Sequence, residues 1–199
     1  MFDIKISGGT IINGSGQEKF LGDIGIIDDR IASIGDLRDT SAHQEIDATG
    51  LSVLPGFIDT HSHADGVLLK EPQGIHSIRQ GVTSEILTQD GMGWAPLDSA
   101  DYKSHARYLA GILGDPPLDL DMSSISALRG HYDGKTGPNV AVLVPHGPVR
   151  LNVLGFTDAP LRGDDLSKAQ NIVNKGLDEG AVGLSTGLSY YPQSYSDTD

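Results

Sequence analysis

The sequence predicts an α/β protein: the first half of a (β/α)8 TIM barrel preceded by part of a small β-sandwich. Three observations carry that expectation. Residues 1–54 consist of short apolar runs separated by turn residues. Residues 55–199 alternate strand-like and helix-like stretches, with roughly four βα units in about 145 residues, the spacing of such a barrel. Where the two textures meet, an apolar run leads into His61-Ser62-His63.

The N-terminal runs cover residues 2–6, 10–12, 23–27, 30–34 and 44–46. Between them lie Gly8-Gly9, Asn13-Gly14-Ser15-Gly16, Asp28-Asp29 and Asp47-Ala48-Thr49-Gly50, the residue types that turns select. Phe2, Ile4 and Ile6 share one side of the first run, which suits a half-buried antiparallel sheet. Strands this short bury little alone, so the sheet is expected to be one layer of a sandwich completed elsewhere.

From Leu51 the pattern changes. Residues 51–60 form an apolar approach to the histidines, and residues 81–88 read as a strand. Asp98 or Ser99 caps a helix with Tyr102, Ala106, Leu109, Ile112 and Leu113 on one face, and Gly114 stops it. Residues 139–144 are nearly all apolar, as expected of a strand covered on both faces. Asp164 and Asp165 open a second helix, with Leu166, Ala169, Ile172, Val173 and Leu177 on one face and Gly180 at its end. Residues 181–184 read as another short strand. Residues 194–199 are expected to be a loop entering a helix cap rather than a natural terminus.

Composition narrows the function classes. Of 199 residues, 38% are hydrophobic and 21% charged, which describes a globular chain. A net charge of -13 without any basic cluster argues against nucleic acid or an anionic membrane surface as partner. The chain has no cysteine, so disulfides, thiolate nucleophiles and thiolate metal ligands are excluded. Neither a secretory leader nor a membrane-spanning run is legible, and a cytoplasmic protein is the expectation.

His61 and His63 are the strongest chemical feature. On a β-strand, residues i and i+2 point to the same side, so both imidazoles can meet one metal ion. At the C-terminal end of a barrel's first strand that side is the mouth where active sites form. Asp59 and Asp65 share the parity of the histidines. Each can orient an imidazole through its other nitrogen, or be a plain surface carboxylate. Asp90, after the second barrel-type strand, can bridge two cations or be a turn residue before Gly91. His146 can ligate a metal or donate to a substrate oxygen, and Arg150 can hold a carboxylate bidentately or make a salt bridge. Tyr190 offers a hydroxyl from a Gly- and Ser-rich stretch. His43, His76, His105 and His131 fit no constellation.

Residues 55–65, Pro-Gly-Phe-Ile-Asp-Thr-His-Ser-His-Ala-Asp, resemble the amidohydrolase superfamily signature. Several further stretches resemble its D-aminoacylase (N-acyl-D-amino-acid deacylase) branch: residues 9–16, 23–35 and 81–83, Ala95-Pro96, Asn139-Val140, His146-Gly147, Arg150 and residues 180–190. The resemblance spans nearly the whole chain. It implies a β-sandwich closed by a C-terminal segment, fused to a (β/α)8 barrel that holds one or two zinc ions. His61 and His63 correspond to metal ligands. Well-known members bridge the metals with a cysteine, and Asp90 stands in that place here, as in a Gln-Asp-Gly variant of the family. Such a change keeps an anion but replaces soft sulfur with hard oxygen, which alters metal preference. Tyr190 falls where the family places a substrate-contacting tyrosine, with His146 and Arg150 as further candidate substrate contacts. Two more histidine ligands and the general-base aspartate are expected beyond residue 199.

The resemblance implies hydrolysis of a small N-acylated D-amino acid. A cyclic-amide hydrolase of the dihydropyrimidinase or dihydroorotase kind, and a non-catalytic scaffold of the same fold, are the alternatives. Residues 1–199 by themselves are expected to be inactive and, with two open sheet edges, prone to aggregate.

Overall fold

The structure, a computed structural model, describes residues 1–197. Thr198 and Asp199, which end the segment read as a loop entering a helix cap, lie outside the described residues. The chain clusters into two compact units, Met1–Gly56 and Phe57–Asp199.

The first unit is a five-stranded sheet: β1 (Phe2–Ile11), β2 (Phe20–Ile27), β3 (Arg30–Gly35), β4 (Ala42–Asp47) and β5 (Ser52–Val53), in the order β3-β2-β1-β4, with β5 also on β1. It is mixed rather than antiparallel. β1, β2 and β3 alternate in direction, whereas β4 and β5 run parallel to β1. The cause is the crossover after β3, which returns the chain to the far side of β1 before β4 begins. The two runs at 2–6 and 10–12 are one strand. Gly8-Gly9 is an irregularity within it, between Ile6 and Gly9, not a turn. Gly8 takes a φ of 71°, and its N–H donates to the Asp23 carboxylate at 2.8 Å. A Cβ on Gly9 would come within 2.5 Å of Val53, so that position has no space for a side chain. Ile11, Ile24, Leu37 and Ala48 are buried, while Leu21, Ile31 and Ile34 are exposed.

The second unit contains β6 (Phe57–Asp59), α1 (Asp65–Lys70), α2 (Ile75–Ile78), β7 (Val82–Leu87), α3 (Ser99–Leu113), α4 (Ile125–Tyr132), β8 (Asn139–Val142), β9 (Val144–Pro145), α5 (His146–Leu154), α6 (Gly163–Asp178) and β10 (Leu184–Ser185). Every strand pair is parallel: β6-β7-β8 form one sheet and β9-β10 another. The apolar run at 139–144 is thus split. At Leu143 the backbone leaves β7, and Val144-Pro145 pairs with β10 instead. Leu87, Trp94, Tyr102, Leu109, Leu113, Leu128 and Val144 are core residues.

α3 forms as its sequence dictates. The Asp98 side chain accepts from the N–H groups of Ala100 and Asp101 (2.8 and 2.9 Å), and Gly114 (φ 80°) ends the helix. Tyr102, Ala106, Leu109 and Leu113 are buried, but Ile112 is exposed. In α6, Ala169 and Gly176 face the core while Leu166 and Leu177 remain exposed. Gly176 is needed there, because a Cβ would lie 2.7 Å from Val144. No helix among the described residues is long and apolar enough to cross a membrane.

Candidate metal centre

β6 ends at Asp59, so His61 and His63 lie beyond the strand rather than on it. The alternation that the sequence invited nevertheless persists, because the Ser62 N–H still donates to the Ile86 carbonyl at 3.3 Å. Ser62 therefore turns inward, where its hydroxyl donates to buried Glu85 at 2.5 Å. The two imidazoles turn the other way and meet edge to face, with ring centroids 5.2 Å apart.

Asp90 comes to the same place from the loop after β7. Its Oδ2 lies 3.2 Å from His61 Nε2 and 3.4 Å from His63 Nε2. Among the described residues these three offer ligand atoms all within 4.8 Å of one another. Donors around a tetrahedral zinc, at bonds of about 2.0–2.1 Å, stand about 3.3 Å from each other. Two imidazole nitrogens and a carboxylate oxygen at these spacings therefore fit zinc in both geometry and donor type. Asp90 adopts a left-handed backbone (φ 56°), as does Thr88 (φ 61°).

The remaining candidates are arranged around this cluster rather than in it. Asp59 is exposed, and its carboxylate accepts from the His61 backbone N–H at 3.1 Å; it closes a local turn instead of orienting an imidazole. Asp65 is buried. Its Oδ1 accepts from the Thr88 N–H at 3.0 Å, so it acts on the loop that carries Asp90. Burial pushes its carboxyl up to about 7, the Thr88 hydrogen bond opposes that shift, and neighbouring Glu85 adds to it.

His146 is the first residue of α5. Its Nδ1 lies 2.9 Å from Thr186 Oγ1 and its Nε2 3.4 Å from Ser196 Oγ. Burial, with help from the Arg150 charge, lowers its pKa, so the neutral imidazole is favoured. The Arg150 guanidinium is fully buried and donates to Ala159 O (2.7 Å) and Ser196 Oγ (3.2 Å). Ser196 thus links His146 and Arg150. Tyr190 is half-buried against the core.

Several residues that sequence reasoning passed over complete the surroundings. Gln89 donates to the carbonyls of Thr60 (2.8 Å) and Ile86 (3.1 Å), tying the Asp90 loop to the residue before His61. Thr88 Oγ1 bridges the carbonyl and N–H of Leu143 at 2.7 and 2.8 Å. Ser185 and Gln193 touch the same loop from the far side. Thr88, Gln89 and Ser185 follow or lie in short strands near glycines, whereas Gln193 carries no sequence signal.

Residues 44–132 match the amidohydrolase family. The chain is 32% identical to a D-aminoacylase of Alcaligenes xylosoxydans xylosoxydans, over 100% of this chain and 40% of that protein. With an N-acyl-D-glutamate deacylase of the same organism it shares 36% identity, over 96% of this chain and 38% of the relative. The structure superposes on that of N-acyl-D-glutamate deacylase from Bordetella bronchiseptica, complexed with zinc and a phosphonate mimic of the tetrahedral intermediate. The TM-score is 0.85 and the identity 33%, covering 98% of this chain and 40% of the other. The chain therefore spans about 40% of the length of the relatives it matches.

Proposed function

The chain belongs to the amidohydrolase family, and from that premise we propose that it contributes the first metal ligands of a zinc hydrolase. The reaction is cleavage of the amide of an N-acyl-D-amino acid by water, giving the D-amino acid and a carboxylate. One observation carries the reading: His61 Nε2 and His63 Nε2 converge on the same oxygen of Asp90, at 3.2 and 3.4 Å. The substrate class follows from the relatives, which are named as deacylases of N-acyl-D-amino acids.

On this reading the parallel strands β6 to β10 are half of a (β/α)8 barrel, with the ligands at the C-terminal ends of its strands. The unit before them is one layer of a β-sandwich. His61, His63 and Asp90 hold one or two zinc ions. When bound, zinc supplies Lewis acidity to water and to the acyl carbonyl. Asp90 contributes the negative charge that keeps a cation, or two adjacent cations, at the strand ends. His146, held neutral and aimed by Thr186 and Ser196, is placed to donate to a substrate oxygen. Arg150 acts through Ser196 on the orientation of that imidazole. Tyr190 contacts the substrate. The general base of the reaction is an aspartate beyond residue 199.

The test uses the full-length protein. Elemental analysis should find stoichiometric zinc, and N-acetyl-D-amino acids should be hydrolysed in preference to their L-enantiomers and to hydantoins. Replacing both His61 and His63 by Ala should remove metal and turnover together. Unchanged turnover in that variant would sink the assignment, and preferred hydantoin cleavage would move it to cyclic amides.

A further inference from the structure

We propose that Ser185 and Gln193 are positioning residues for Asp90, holding the loop of residues 88–91 in the backbone conformation that aims its carboxylate at His61 and His63. The inference rests on the metal-centre reading above and adds to it a device that sets the direction of one ligand.

The loop needs such a device. Thr88, Asp90 and Gly91 all have positive φ, at 61°, 56° and 70°. A left-handed backbone is strongly disfavoured for β-branched Thr, whereas Asp tolerates it when its surroundings hold it there. Such a conformation persists only where the surroundings over-determine it. Thr88 is fixed from the strand side by Asp65 and Leu143. Gln89 ties the loop to Thr60 and Ile86, but none of these contacts reaches the Asp90 backbone itself.

It is held from the opposite side. The Ser185 hydroxyl donates to the Thr88 carbonyl and accepts from the Gly91 N–H at 3.1 Å, bracketing Asp90 with one side chain. Gln193 Nε2 donates to the Asp90 carbonyl at 3.3 Å. Both are buried, at 6% and 1% exposure, where water offers no substitute partner and each donor counts. The backbone of the same segment closes the remaining space. A Cβ added to Gly187 would stand 2.6 Å from the Asp90 carbonyl oxygen, and one added to Gly91 would stand 3.1 Å from the Thr186 Cα. Asp90 Oδ2 lies 3.2 and 3.4 Å from the two imidazole nitrogens, and the backbone that Ser185 and Gln193 hold sets the point from which the carboxylate reaches them.

Outer contacts of this kind typically change metal affinity about 10–100-fold. The experiment compares Ser185→Ala, Gln193→Leu and Ser185→Thr in the full-length protein, with Asp90→Asn as reference. Zinc affinity is read by competition with a chelator, ligand geometry by the absorption spectrum of the cobalt(II)-loaded protein, and folding by the melting temperature of the metal-free protein. Ser185→Ala and Gln193→Leu should each weaken zinc binding about 10–100-fold and alter the cobalt spectrum. Neither should lower the metal-free melting temperature in proportion, and Ser185→Thr, which keeps the hydroxyl, should recover affinity.

If Ser185→Ala does not fold, Gln193→Leu decides the question. Parental affinity and spectrum in the folded variants, or a loss that tracks the metal-free melting temperature, overturns the positioning role. Should Asp90→Asn itself bind zinc like the parent, the metal-centre reading has failed. Should only Asp90→Asn lose zinc, that reading stands and the positioning role falls.

Discussion

Two regions of the second unit are buried to a similar degree and held by opposite means. Around α3, Trp94, Tyr102, Leu109, Leu113 and Leu128 pack as a hydrophobic core. Around residues 88–91, buried Thr88, Gln89, Asp65, Ser185 and Gln193 connect through directional hydrogen bonds. Hydrophobic burial is non-directional, roughly additive in area and tolerant of volume-conserving exchange. A buried polar network is not: each member has a particular partner, and losing one strands another. The first region is built for stability and the second for aiming one carboxylate. They should therefore fail in different ways.

The largest expected effect lies in the polar region. Asp90→Ala should reduce zinc to substoichiometric levels and turnover to background while the protein still folds. Asp90→Cys, which restores an anion with a softer atom, should bind metal again and shift its preference towards softer ions such as cadmium. Elemental analysis and metal competition check both, and retained zinc in Asp90→Ala would erase the contrast between the regions.

Next comes the core. Leu109→Ala should cost roughly 2–5 kcal/mol of stability by denaturant titration, the range for emptying a buried leucine site. Its zinc affinity, measured under native conditions, should stay at the parental value. A parallel fall in affinity would show that core and loop are one cooperative structure.

A smaller, pH-dependent effect comes from His105, buried in α3 beside Tyr108 and Phe156. Burial pushes its imidazole down from 6.5 to about 4. The unfolded chain takes up a proton near 6.5 that the folded chain refuses until about 4. The contribution is thus complete above 6.5 and is lost as pH falls towards 4, at about 1.4 kcal/mol per pH unit. His105→Phe should remove that slope and, since neither ring nitrogen has a hydrogen-bond partner among the described residues, cost no bond. A slope that survives in the variant would assign acid sensitivity to other groups.

The smallest effect is at the start of α3, where Asp98→Ala should cost about 1 kcal/mol through loss of the cap. Its zinc affinity should be unchanged.

Much of the core region was legible beforehand, because α3 obeys local rules. A capping acid, a 3.6-residue apolar period and a terminal glycine depend only on neighbours in sequence. The first unit was less legible. Gly8-Gly9 reads as a turn by composition, yet β1 continues through it because pairing with β2 and β4 on either side holds the strand together. The start of α5 at His146 was missed since Pro145-His146-Gly147-Pro148 carries every composition cue of a loop. In the candidate site, His61, His63 and Asp90 were legible as residue types at strand ends. The roles of Asp59 and Asp65 were not: parity places them beside the histidines, but the groups they reach are the backbone N–H groups of His61 and Thr88.

What the sequence by itself determined was an α/β alternation, the helices α3 and α6, a chain without thiolate ligands, and a histidine pair followed by an acid. Tertiary structure alone decided that Asp90 takes a left-handed backbone and that Ser185 and Gln193 hold it there. The physical reason is distance along the chain. Gly91 and Ser185 are 94 positions apart, and Asp90 and Gln193 are 103. Periodicity and capping act within a turn or two of chain, whereas such partners meet only when parallel strands bring their C-terminal ends side by side.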